Sequence, residues 1–120
     1  MDFELDANTI KISPHARNKF VFLSKLLFGT RFEWDDDAYR EIRELLSRAE
    51  LAKVNQKDQE RMSRHDERMR TFSAYYVCAG WRFVIDVLGN SVITIERENP
   101  RENDLHKEHG VVVKPGKRAR

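Results

Sequence analysis

The feature that most restricts what this sequence can fold into is a change in the spacing of its apolar side chains. Ala16, Phe20, Leu23 and Leu27 recur every third or fourth residue, the period of one helix face. From residue 71 the spacing drops to two. Segments 71–78, 81–87 and 91–97 are rich in aromatic and β-branched residues and are separated by short turns, which predicts three strands in an antiparallel meander. A two-residue Ala79-Gly80 turn sets Tyr76 opposite Phe83, Ala74 opposite Ile85 and Phe72 opposite Val87. A three-residue Leu88-Gly89-Asn90 loop then sets Ile85 opposite Ile93 and Phe83 opposite Ile95, whereas a two-residue Gly89-Asn90 turn would throw the third strand out of phase. One face collects Phe72, Ala74, Tyr76, Cys78, Trp81, Phe83, Ile85, Val87, Ile93 and Ile95 and is expected to lie beneath helices. The other, with Ser73, Tyr75, Val77, Arg82, Val84, Asp86, Val92, Thr94 and Glu96, is mixed in character and is expected to stay partly open.

Upstream, Thr9-Ile10-Lys11-Ile12 alternates as a short strand. Ser13-Pro14 supplies an N-cap and a proline at the first helical position, and Gly29 marks the end of that helix. Asp35, Asp36 and Asp37 suit the positive end of a second helix, whose apolar stripe is Tyr39, Ile42, Leu46 and Ala49, broadened by Leu45. The three carboxylates lack the further ligands and glycine-containing loop of a cation site. Beyond Ala49 the same helical face turns cationic: Lys53, Lys57, Arg61, Arg64 and Arg68 fall within an arc of roughly 80° at ~100° per residue. A single helix from Asp36 to Met69 would be about 50 Å long, far beyond a compact chain of this size. A bend or an end is therefore expected near Asn55, followed by a more mobile charged segment. Acidic neighbours such as Asp58, Glu60, Asp66 and Glu67 leave a second meaning for the stripe, that of a solvated face.

At 120 residues the chain has room for one domain. The expected organisation is a single α+β domain over residues 1–100: a strand, two helices, then the meander, with the helices packed on one sheet face. A charged helical extension lies near 53–70, and 101–120 forms a polar, basic tail. The longest apolar stretch, 20–28, is broken by Ser24 and Lys25 and falls short of the ~20 residues of a bilayer span. An acidic start at Asp2, Glu4 and Asp6 is the wrong charge for a targeting peptide, and one cysteine, Cys78, cannot close an internal bridge, so a cytoplasmic location is expected. Residues 1–60 carry 10 basic and 12 acidic side chains, a net −2, whereas 61–120 carry 12 and 8, a net +4. The basic half suits an anionic partner or simple solubility. His106 and His109 form an H-x-x-H pair with no second pair to complete four ligands, so no metal and no cofactor is expected.

Ile12-Ser13-Pro14-His15-Ala16 at the end of the first strand, with Trp81-Arg82-Phe83-Val84-Ile85 and Val92-Ile93-Thr94-Ile95 in the meander, resembles the RelE/ParE-like toxin superfamily and its small relatives with a Ser-x-His-Ala start. The resemblance follows the order of elements from about residue 10 to residue 97. It implies a RelE-like fold, a metal-independent endoribonuclease acting on RNA or the ribosome, and a possible protein partner of the antitoxin kind. Arg82 matches the family's arginine in the meander; its other basic and tyrosine residues have no assigned counterpart in this chain.

Metal-free RNA cleavage needs a group to take the 2′-hydroxyl proton, a group to protonate the leaving oxygen, and cations on the phosphate. Arg82 is the candidate for holding the phosphate, with His15 at the first helix start or Tyr75 on the open face for the proton. Glu96, opposite Arg82 in the predicted register, offers a plain cross-strand ion pair instead. Two other classes stand beside the enzyme: a nucleic-acid-binding module using Lys53, Lys57, Arg61, Arg64 and Arg68 together with the basic tail, and a protein-interaction partner in which the charged segment docks on an acidic protein and the sheet face or an edge strand pairs with another chain.

Overall fold

A computed structural model describes residues 3–104. Its elements run β1 (Lys11–Ile12), α1 (Pro14–Phe28), α2 (Asp35–Leu46), β2 (Glu50–Leu51), α3 (Gln56–Met69), β3 (Ser73–Cys78), β4 (Trp81–Asp86), β5 (Ser91–Arg97) and α4 (Pro100–Asn103). The α+β layout and the meander are as the periodicity predicts. The sheet is larger than the meander: its five strands lie in the order β1-β5-β4-β3-β2, with β1 parallel to β5 and β2 antiparallel to β3. No helix among the described residues is long and apolar enough to cross a membrane.

The helix ends follow from local chemistry. Ser13 is extended, and its hydroxyl accepts from Ala16 N at 3.0 Å, while Gly29 closes α1 at a φ of 68°. Ala16, Phe20 and Leu23 of α1 and Ile42, Leu45 and Leu46 of α2 meet Trp81, Phe83, Ile85, Val92 and Ile95 in one buried core. Both helices thus cover the apolar face of the meander. The Asp35-Asp36-Asp37 run does open α2, where Asp35 also takes Arg17 at 2.6 Å.

Four expectations are corrected. The second helix stops at Leu46, β2 follows, and Asn55 begins a separate helix by accepting Asp58 N on its side-chain oxygen at 2.8 Å. A short polar side chain that caps well thus starts α3 at the point where a bend or an end was the expectation, and Lys53 is left in the connector. Phe72, assigned to the core face, is 60% exposed because the sheet ends beside it. Ile85 pairs with Val92, not Ile93. The register holds from Trp81↔Arg97 to Val84↔Thr94 and then shifts by one residue, with Ile93 as the bulge. The shift swaps two side chains between faces: Val92 is fully buried in the core and Ile93 lines the opposite side. It is matched by a four-residue connection, 87–90, in which Asp86 accepts Leu88 N at 3.2 Å and Gly89 N at 3.1 Å. The early strand is also shorter than its pattern, with only Lys11 and Ile12 paired.

The polar, basic tail expected over 101–120 begins in ordered structure. Its first residues form α4, docked on β5 by Asn103, whose side chain accepts Arg97 N at 2.7 Å and donates to Arg97 O at 2.8 Å. Arg97 is buried, stacked 4.5 Å from the Trp81 ring and 5.2 Å from the Phe28 ring, and donates to Glu102. The rest of the predicted tail, with His106 and His109, lies outside the described residues.

The Ala79-Gly80 turn has positive φ at both residues, 53° and 81°, as a two-residue hairpin demands. A Cβ at Gly80 would also run into the Arg97 guanidinium, 3.0 Å from its Cζ. Gly80→Ala is therefore expected to cost about 1–3 kcal/mol in urea unfolding, with the aromatic near-ultraviolet signal of Trp81 altered.

Candidate functional site

The charged segment does not project into solvent. Helix α3 buries none of its residues, yet it runs alongside the second face of the sheet, tied to it by the polar contacts below and with half-buried Met62 facing Val84 and Ile93 across the gap. Asp66 is the anchor: its carboxylate accepts the hydroxyls of Thr71 and Ser73, each at 2.6 Å, and Ser73 N at 2.9 Å. Arg70 ends the helix in the left-handed region, φ 57°, and turns the chain directly into β3. At the other end Asp58 lies 3.5 Å from Arg82, and Arg61 donates to the Tyr75 hydroxyl at 3.2 Å and lies 3.8 Å from Glu96.

Between helix and sheet lies a cleft of 330 Å³. Arg61, Met62, Arg64, His65 and Arg68 form its helix wall, and Ser73, Tyr75, Val84, Ile93, Thr94 and Glu96 form its sheet wall. The helix positions follow the i, i+3, i+4, i+7 rule, so one face of α3 is turned to the sheet. Three guanidiniums and an imidazole stand against one carboxylate. Arg64 and Arg68 are exposed and make no ion pair among the described residues. Of the five predicted cations, Arg61, Arg64 and Arg68 line the cleft; Lys53 and Lys57 are exposed elsewhere.

The three residues proposed for proton and phosphate work are placed differently. Tyr75 and Arg82 do share the second face, with the guanidinium carbon 4.7 Å from the ring centre. Tyr75 is buried, 5% exposed, with its hydroxyl taken by Arg61. Arg82 stands opposite Glu96 as the register predicts, donating from Nε to Oε2 at 2.6 Å, with Asp58 on its other side. That is the cross-strand ion pair, extended to a third residue. His15 is exposed at the start of α1, the helix that covers the other sheet face, and is not part of the cleft wall. Partial burial and the nearby Lys19 hold its imidazole below the ordinary 6.5, so it favours the neutral form.

Periodicity alone did not single out His65, Asp66 or Ser73. His65 lies four residues beyond Arg61 and three before Arg68, on the cationic face, and its Nδ1 is 3.5 Å from Asp66. That spacing was the available signal. No cluster of three metal-ligating side chains occurs among the described residues.

Burial pushes the Asp66 carboxyl up, but the hydrogen bonds from Ser73 and Thr71 outweigh it and hold the group below its ordinary 3.8. A depressed carboxylate stabilises the fold fully above that ordinary value and loses the contribution as pH falls through its folded value. Asp66→Asn is expected to cost about 1–3 kcal/mol at neutral pH. Urea midpoints followed down through the acid range should show the gap between wild type and variant closing once the pH passes below 3.8. A gap that stays constant would contradict the anchoring role. Comparison of the chain with protein-family models, curated proteins and solved structures found no match.

Proposed function

We propose that this protein binds single-stranded RNA in the cleft between α3 and the sheet. The observation that carries the reading is the pair Arg64 and Arg68, exposed and without ion pairs among the described residues, over a wall of Val84 and Ile93. Phosphates take the guanidiniums, and an unpaired base takes the aliphatic wall. A cleft of 330 Å³ is of the size of a single nucleotide. The resemblance to RelE/ParE-like toxins in the Ser-x-His-Ala start and the meander supports RNA over DNA as the ligand. Within the same proposal, the natural targets are ribosome-bound RNA and a protein partner of the antitoxin type.

Backbone binding of this kind releases counterions and weakens with salt. Fluorescence anisotropy with a labelled oligouridylate should show affinity falling linearly on a log–log salt plot. The Arg64→Ala/Arg68→Ala double variant is expected to lower that slope by about 1.4, since each phosphate contact to a single strand contributes about 0.7. An unchanged slope would remove the cleft from the reading.

Cleavage is a second reading, favoured by one observation: the cleft wall holds an imidazole, His65, among its guanidiniums. In that step the ribose 2′-oxygen attacks phosphorus, its proton passes to His65, and the P–O5′ bond breaks with the 5′-oxygen protonated from solvent. The products are a 2′,3′-cyclic phosphate and a 5′-hydroxyl end. Those ends are expected on incubation with RNA, with rates about 10²–10⁴-fold lower for His65→Ala and unchanged for His15→Ala. Products carrying other ends would rule the step out.

A further inference from the structure

We infer that the cleft reads guanine through Glu96, an inference that rests on RNA being its ligand. Glu96 is the one acidic side chain among the described residues of the cleft lining, on the sheet wall opposite the cationic helix wall, and it is fixed in place before any ligand arrives. Its Oε2 takes Arg82 Nε at 2.6 Å and lies 3.8 Å from Arg61. Arg82 is itself held by the Tyr75 ring and by Asp58. A carboxylate locked in this way loses little further freedom on binding. Among the described residues both arginines approach Oε2, Arg82 in a hydrogen bond and Arg61 at ion-pair distance, which leaves the lone pairs of Oε1 for a ligand.

An ionised carboxylate only accepts hydrogen bonds, so it discriminates by which donors face it. Guanine presents N1–H and the N2 amino group side by side on its Watson–Crick edge. Adenine and cytosine set a ring-nitrogen acceptor beside a single amino donor, and uracil sets one N–H between two carbonyl oxygens. In those three an acceptor would face negative charge; in guanine two donors do. The placement of charge orients the nucleotide as well. Arg64 and Arg68 on the helix wall draw the phosphate outward, while Glu96 on the sheet wall takes the base inward, against Val84 and Ile93.

The test uses the whole chain and short oligouridylates with one central guanosine, adenosine, cytidine, uridine or inosine, compared by anisotropy at one low salt concentration. The guanosine oligomer is expected to bind at least about tenfold tighter than the adenosine, cytidine and uridine oligomers. Inosine, which lacks the N2 amino group, falls between. Glu96→Gln is expected to collapse the differences. Should that variant lose its fold by circular dichroism, the guanosine-to-inosine ratio of the wild type decides. Equal affinities within about twofold would overturn the guanine reading and leave RNA binding standing. A folded Glu96→Gln protein that keeps the preference would overturn the role of Glu96, and no binding to any oligomer would overturn both readings.

Discussion

Burial of alternate side chains of the meander beneath α1 and α2 is the constraint from which the rest of the molecule follows. Phe83, Ile85, Val92 and Ile95 are fully buried against Phe20, Leu23, Ile42 and Leu46. Strand geometry then leaves no freedom to the intervening residues: Tyr75, Arg82, Val84, Thr94 and Glu96 must stand on the reverse face. Two of them are ionised. The reverse face accordingly cannot be closed by a second apolar layer, and the element that comes to it, α3, is charged and has no buried residue. A charged helix over a sheet face of mixed character leaves a gap, and that gap is the cleft.

The ion pairs across the gap serve position more than stability. Arg82, Glu96, Arg61 and Asp58 are each held by at least two contacts, and each is only partly shielded from water. Pairs of this kind contribute little net free energy, because desolvation offsets attraction. Their effect is geometric: Arg82 is held over the Tyr75 ring, Glu96 is held at the cleft wall, and Arg61 is held at the Tyr75 hydroxyl. Arg82, the most conspicuous cation in the sequence of the meander, is thereby a support for the site and not its free charge. The available charge sits on α3.

Where one period rules, the sequence was legible. The Ala79-Gly80 hairpin, the Tyr76↔Phe83 and Arg82↔Glu96 pairs, the Ser13 cap and the Gly29 stop all follow from local rules, and the structure has them. The rule failed where one residue changed parity. Nothing in Val92-Ile93, two β-branched apolar residues in succession, says which of them faces the core; the bulge decides it, through Asp86 capturing the turn amides. The site was legible in part for a similar reason. The cationic stripe showed as a period, but its docking on the reverse face rests on Asp66 reaching Thr71 and Ser73, a contact between polar residues that leaves no periodic mark.

The two ends of α3 are fastened in unlike ways. Its C-terminal end is welded to β3 through left-handed Arg70 and the three bonds of Asp66. Its N-terminal end leans on longer-range charge pairs at Asp58 and Arg61, which dissolved ions weaken. Screening by salt therefore bears on the N-terminal fastening of α3 and spares the C-terminal one.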